Sequence, residues 1–256
     1  MYLGKPGALI EIPDPRPGVE ATADRQGGTN TTLGGRYRVD YPGAAPRTFA
    51  LSWSDGYPYL TPEQYDVLER LYFEPGPYVF LPYSSRGRWN YAARTHSPWI
   101  IGSDTADFDY SFFPGHGLYI DMGTPVAPGV MWSFQTSVSL TSGTAVSLSS
   151  FLDWYDASSA LISTTVGPVD TPQAWSDWNL TITDMAPSGA AFVIPRIHGD
   201  AMANLSYSFS KVQLEIGQPT TPLMGKGCPI VSFKELTMVY NFANQIAATA
   251  SLVDVS

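Results

Sequence analysis

Few side chains in this sequence are of the kinds that make and break bonds, and their spacing limits what they can do. The histidines are three, His96, His116 and His198, and no two stand at the helical spacing that turns a pair of imidazoles toward one metal ion. His198-Gly199-Asp200 sets an acid beside an imidazole, but no serine or cysteine lies in a glycine-flanked elbow that would make it a nucleophile. Asp153 and Asp156 flank Trp154-Tyr155 in the manner of a glycosidase carboxylate pair, although acids at strand ends are ordinarily solvated. No catalytic residue is assigned and enzymatic activity is not expected. The single Cys228 forms neither an internal disulfide nor a cysteine-based metal cluster, which fits assembly in a reducing compartment.

Two kinds of binding chemistry remain. Asp104, Asp107 and Asp109 offer clustered hard oxygens of the type a calcium ion prefers, without the glycine turn and terminal bidentate glutamate of a complete calcium loop. Plain solvated acids are the simpler reading. Sugar binding would use aromatic faces beside hydrogen-bonding groups. Trp154 shares strand parity with Leu148 and Leu152 and so belongs to a core, which turns its neighbour Tyr155 outward. By the same parity Trp178 joins Leu180 and Ile182 inside. The exposed aromatic candidates are therefore Trp99, Tyr155 and Trp175, with plugging of loop bases as the alternative for the two tryptophans.

The elements that must position these residues are mostly strands. Val130, Trp132, Phe134, Val138 and Leu140 keep one parity, as do Val146, Leu148, Leu152 and Trp154. Phe192 and Ile194 start another strand. From Leu205 to Ile216 the apolar phase slips once, because Tyr207 and Phe209 are followed by Val212, Leu214 and Ile216. A side-chain period of two allows that only with an extra residue, a β-bulge at Ser210-Lys211. A similar slip implies a bulge at Lys234-Glu235, and Ile246, Ala248, Ala250 and Leu252 make a last strand. Further upstream, Leu9–Ile12, Arg36–Tyr41 and Thr48–Trp53 read as strands, Pro13–Gly18 as a turn or extended arm, and Gly27–Thr32 as a flexible loop. One helix is expected: Thr61 caps it, Pro62 opens it, Gln64 completes a capping box, and Glu74-Pro75-Gly76-Pro77 ends it before the strand Tyr78–Leu81.

Charge divides the chain. From His96 to Gly225 only Arg196 and Lys211 face 11 acids, so this block carries the whole net charge of −9, while the flanking parts are neutral. That places boundaries near residues 95 and 225 and excludes nucleic acid, whose phosphates need a basic surface. No apolar run is long enough to span a membrane. The opening MYLGKPGALIEI lacks the basic-then-apolar layout of a secretory leader, so none is expected. The neutral tail strands are expected to pair with the N-terminal strands, giving an all-β fold with two parts. Residues 1–95 plus 226–256 form one domain, and 96–225 form an inserted jelly-roll sandwich.

Three stretches carry a resemblance. Leu152-Asp153-Trp154-Tyr155-Asp156 with Leu161, Trp178-x-Leu180-x-Ile182 with Ala186-Pro187 and Ala190, and Gln213-Leu214-Glu215-x-Gly217 with Thr221 resemble successive signatures of a carbohydrate-binding-like jelly roll common in phage minor tail proteins. Arg47-Thr48-Phe49-x-Leu51-Ser52-Trp53, the helix and the strand after Pro77 are similar to the distal tail protein of long-tailed phages. The resemblance implies a virion protein of the tail tip, assembled in the host cytoplasm. It implies a homo-hexameric ring that contacts the tail tube and other tail-tip proteins and projects its jelly roll toward a host cell-surface glycan. It also implies that such modules carry a structural calcium, here at Asp104, Asp107 and Asp109, with no other cofactor. The Gly/Pro-rich residues 13–35 would then form an arm reaching a neighbouring copy. A free-standing lectin-like module and a β-sandwich glycan-active enzyme are the alternative readings.

Overall fold

Thr61-Pro62-Glu63-Gln64 specifies a helix start by two reciprocal hydrogen bonds, and the computed structural model contains both. The Gln64 backbone N–H donates to Thr61 Oγ1 at 3.3 Å and the Thr61 N–H donates to Gln64 Oε1 at 2.9 Å. The helix α1 (Pro62–Phe73) buries Tyr65, Leu68 and Leu71 along one stripe. The structure describes residues 1–15, 20–23, 28–31, 37–40, 47–54, 59–82, 99–103, 108–111, 123–142, 147–171, 178–199, 205–218, 228–241 and 245–255.

The first strands are β1 (Tyr2–Lys5), β2 (Ala8–Glu11), β3 (Glu20–Ala23), β4 (Gly28–Thr31), β5 (Tyr37–Asp40), β6 (Arg47–Trp53) and β7 (Tyr78–Leu81). Then come β8 (Trp99–Ser103), β9 (Phe108–Ser111), β10 (Thr124–Pro125), β11 (Met131–Ser142), β12 (Leu148–Tyr155) and β13 (Leu161–Asp170). The last are β14 (Trp178–Met185), β15 (Phe192–Gly199), β16 (Leu205–Ile216), β17 (Ile230–Asn241) and β18 (Gln245–Asp254). The fold is all-β with one helix. It separates into two compact units: Met1, Ile12–Tyr78 and Pro229–Ser256 form the first, Tyr2–Glu11 and Val79–Cys228 the second. The cuts thus fall after residues 78 and 228, and residues 2–11 lie in the second unit.

In the first unit the sheet order is β17-β18-β6-β3, every neighbour antiparallel. Leu252, Ala250 and Ala248 of β18 lie opposite Phe49, Leu51 and Trp53 of β6, and all six are buried because the apolar parity of each strand meets the other in register. The tail strand therefore pairs with a strand of the N-terminal part. A register shift between Phe233 and Glu235 places the bulge of β17 at Lys234, where the phase of the sequence requires it. Arg47 fixes the far end of the pairing through an ion pair with Asp254, 2.6 Å from Nη2. Two expectations change. Gly28–Thr31 is a strand, β4, paired with β5, because its two threonines favour extended backbone more than its glycine opposes it. Within residues 13–35, Glu20–Ala23 pairs with β6 of its own chain, so this part of the arm is occupied at home.

The second unit contains the β1–β2 hairpin, with β7 antiparallel to β1, and two larger sheets. One runs β10-β15-β12-β13, with β9 sharing the β10 edge of β15; the other runs β14-β11-β16-β8. Counting β9 and β10 as one place, the eight successive positions cross between the sheets at every step except the β12–β13 hairpin, which is the jelly-roll order. The apolar sides supply Trp132, Phe134, Val138, Leu152, Trp154, Tyr207, Phe209 and Leu214, each no more than 2% exposed. In β16 the extra residue is present: Gln213 lies opposite Gln135 and Ser210 opposite Ser137, so Lys211 and Val212 together face Thr136. Lys211 takes φ +54°, and Gly217 ends the strand at φ +88°.

One parity assignment is corrected. Trp178 shares the side of Leu180 and Ile182 but is 38% exposed, because it is the first residue of β14, an edge strand with one lateral neighbour. In β15 the core residues are Val193, Pro195 and Ile197; Ile194 is on the other side, since Val193 is the residue in register with Trp154. Trp154→Ala is expected to cost about 3–5 kcal/mol in denaturant unfolding. Trp178→Ala is expected to stay within about 0.5 kcal/mol of wild type, as a surface change does. Similar losses from both would contradict this division of the core.

Candidate functional site

The sheet β9-β15-β12-β13 has a second side, away from the core, and strand parity decides which residues it presents. On β12 these are Ser149, Phe151, Asp153 and Tyr155; opposite them in register on β15 stand His198, Arg196, Ile194 and Phe192. On β13, Thr164 lies opposite Asp153 and Val166 opposite Phe151. Alternation thus gathers the rings of Phe151 and Tyr155, an imidazole and an ion pair on one side of β12 and β15, with Phe192 beside Tyr155 buried at 1% exposure.

The centre of this surface is the pair Asp153–Arg196. Arg196 Nε donates to Asp153 Oδ2 at 2.9 Å and Thr164 Oγ1 donates to Asp153 Oδ1 at 2.7 Å. The Asp153 side chain is only 8% exposed and that of Arg196 23%, so the pair is held largely out of water. A carboxylate in that position requires its partners, because an unpaired charge there would be strongly unfavourable. Arg196 also stacks over Phe151, with Cζ 4.3 Å from the ring centroid, and the Phe151 ring meets His198 edge-on at 6.2 Å. The Tyr155 phenol is pushed above its ordinary pKa, first by burial and then by the negative charge of Asp153, with Arg196 pulling the other way. It therefore keeps its proton at neutral pH and can both donate and accept.

Beneath the surface, Trp154 Nε1 donates to Thr165 Oγ1 at 3.0 Å, and Thr165 Oγ1 in turn donates to Asp184 Oδ2 on β14. This chain joins the edges of the two sheets and fixes β12 from behind. At the end of the surface the turn after Tyr155 is tied by one oxygen: Asp156 Oδ1 accepts from Ser158 N, Ser158 Oγ and Ala160 N at 2.7–2.9 Å. The Ser158 side-chain bond, then the Ala160 backbone bond, hold the Asp156 carboxyl below its usual range. A depressed carboxylate stabilises the fold above its unfolded pKa, and that contribution fades as pH falls through the folded value, so acid weakens the side-chain tie of this turn and leaves its backbone bonds in place.

Of the residues singled out in the sequence, the structure sets Tyr155 on this surface, half-buried at the end of β12. Asp109 occupies the β9 position in register with His198. Trp99 begins β8, opposite Phe209, in the other sheet, so it is not brought together with Tyr155. Trp175, Asp104, Asp107, His96 and His116 lie outside the described residues. Among the described residues no group of three or more His, Cys, Asp or Glu could hold a metal, and no helix is long and apolar enough to cross a membrane. Asp153 is not a solvated acid but a buried ion-pair member, and His198 lies on the outer side of β15. Phe151, Arg196 and Thr164 are additions. For Arg196 the signal was a charge in mid-strand on the parity opposite the apolar residues, the side that a sheet with one packed face turns outward. Gln213 and Glu215 of the closing-strand motif are each 1% exposed on the parity opposite Leu214, so they are structural in placement and outside this surface.

Arg196→Met should leave Asp153 without its cation and lower stability by about 1.5–3 kcal/mol, with Asp153→Asn added to the same chain recovering part of the loss. Unfolding of the two variants in denaturant measures this, and equal stability of Arg196→Met and wild type would contradict the pairing.

A scan against protein-family models and a search of curated proteins each find no match. Solved structures similar to this chain include the enzymatically active domain of tailspike protein 4 from bacteriophage CBA120, at 9% identity and TM-score 0.34 over 47% of this chain and 15% of that one. Another is a family 16 carbohydrate-binding module, at 6% identity and TM-score 0.32 over 53% and 92% of the two chains. Infectious bursal disease virus, Gt strain, aligns with 99% of this chain and 58% of its own at 9% identity and TM-score 0.38. The chain spans 15% of the tailspike domain and 28% of a Clostridium thermocellum xylanase 10B structure. Likeness at these identities and scores identifies no family.

Proposed function

We propose that this chain is a structural subunit of a phage tail tip, and that its jelly-roll unit attaches the particle to glycans on the host surface. The observation that carries the attachment is the surface on β15, β12 and β13. Phe151 and Tyr155 lie on one side of one strand, about 13–14 Å apart along it, a span that accommodates more than one sugar ring. Between and beside them stand Arg196, Thr164 and His198, whose polar groups suit sugar hydroxyls. Tyr155 offers an apolar face for stacking, and Phe151 would use the face turned away from Arg196. A residue arrangement for breaking a glycosidic bond does not accompany them: Asp153 is already held by Arg196 and Thr164, and Asp156 is consumed by its own turn.

The ring rests on a different support. The tail strands β17 and β18 return to pair beside β6, so the sandwich interrupts a separate unit. A module that only bound sugar would have no use for such a unit, whereas a tail-tip subunit would build a closed, head-to-tail hexamer with it. Tail tube and neighbouring tail-tip proteins would be its partners, and calcium at Asp104, Asp107 and Asp109 would be structural. A single weak sugar site of millimolar affinity contributes only about −4 kcal/mol, and repetition around a ring multiplies it by roughly 10²–10⁴.

The test is retention of the full chain on a surface coated with host cell-wall glycan, beside titration with the same sugars free in solution. Retention is expected to be strong on the dense surface and barely measurable for the free sugar. It should fall at least tenfold in Phe151→Ala and in Tyr155→Ala. Undiminished retention in both variants would remove the surface from the proposal, and a monomeric mass by light scattering would remove the ring.

A further inference from the structure

Strand β13 has a free long edge among the described residues: β12 pairs with one side of it, and it is the last strand of its sheet. Its exposure is unusual for so apolar a strand. Leu161 is 55% exposed, Ile162 40%, Val166 59% and Val169 64%. The strand Leu161–Asp170 contains no Lys, Arg or Glu, the residues that commonly protect an edge from pairing, and its one charge is the terminal Asp170. Such an edge presents unpaired backbone N–H and C=O groups flanked by apolar side chains, and the chemistry it accepts is another extended, uncharged strand.

We propose that the occupant is β13 of a second copy, paired antiparallel about a two-fold axis through Thr164. Three features of the strand lead to that register. Facing residues of an antiparallel pair point to the same side of the sheet, so a two-fold normal to the sheet must pass through a residue and not between two. Pro168 has no N–H to give, so the longest run that avoids it is Leu161–Gly167, and its centre is Thr164. That register sets Ile162 against Val166 twice and Thr164 against Thr164, all β-branched pairs that stabilise a sheet by cross-strand packing.

Charge agrees with the same occupant. The paired segment Leu161–Gly167 is uncharged, although its block carries the protein's net charge of −9. On the neighbouring strand, Asp153 is neutralised by Arg196, and on the inward side Asp184 accepts from Thr165. The two Asp170 carboxylates would stand roughly 40 Å apart, several times the ~8 Å screening length of physiological salt. Along Leu161–Gly167 a copy therefore meets no like charge, and the one such approach in this register turns Asp170 toward the Asp156 turn of the other copy. The contact is isologous, so it is distinct from head-to-tail ring contacts and does not depend on sugar binding.

The experiment uses the full chain. Thr164→Cys is left under mild oxidation and resolved without reductant, beside a turn control, Ser188→Cys; native Cys228 is buried. A covalent pair from Thr164→Cys and none from the control is the expected result. Sedimentation of wild type against Val166→Lys, which keeps the Thr164 hydroxyl, should show association at least about tenfold weaker in the variant with an unchanged melting temperature. Absence of the covalent pair together with equal association of wild type and Val166→Lys would overturn the proposal. So would a wild type that stays monomeric at about 100 µM, a hundredfold above micromolar affinity, which would hand the edge to a strand from another protein.

Discussion

Lys211, held at φ +54° between the two halves of β16, is the point on which the jelly roll depends. A strand of twelve residues that packs against one core must repeat its apolar residues at every second position. This one carries Tyr207 and Phe209 in one phase and Val212, Leu214 and Ile216 in the other. Without an inserted residue, one half would turn its side chains into solvent while its partner β11 kept facing inward. The left-handed conformation costs a lysine about 1–3 kcal/mol. The two or three apolar side chains that would otherwise turn outward, each worth about 1.5–3 kcal/mol when fully buried, outweigh it. The cost is accepted because the alternative is the loss of half a strand.

The core that results is aromatic and wide, and the polar groups inside it are used to tie layers together. Trp154 lies against the apolar interior, yet its indole N–H finds Thr165, and Thr165 reaches Asp184 in the facing sheet. The same strand β12 carries Asp153 on its other side, where Arg196 and Thr164 take up the carboxylate. One strand therefore fixes two things: inward, the registration of two sheets; outward, the geometry of a charged and aromatic surface. A change at the interior would be felt at the surface through no more than one residue of backbone.

Much of this was readable from alternation alone. The capping box at Thr61 and Gln64, the bulges at Lys211 and Lys234, and the tail pairing rest on local rules or on charge, and sequence displays both. The failures have a common physical cause. Trp178 was assigned by parity, which fixes the side of a sheet but not what covers it, and the start of an edge strand is covered poorly. In β15 Pro195 interrupts the apolar alternation, and only pairing with Trp154 shows that Val193 and Ile197 face inward. Arg196 and Asp153 are 43 positions apart, and no periodicity connects them. Of the surface proposed here, Tyr155 could be read in advance because its neighbour Trp154 was so clearly interior.

The scarcity of basic residues in the middle block has an effect on how the protein is broken down. Between His96 and Gly225, Arg196 and Lys211 are the only side chains after which a trypsin-like protease can cut. Both are in paired strands, Arg196 in β15 and Lys211 in β16, and the turns and loops where nicking ordinarily begins contain neither residue type. Digestion by an enzyme of that one specificity must therefore wait for strands to open, and the sandwich resists it in proportion to the stability of β15 and β16.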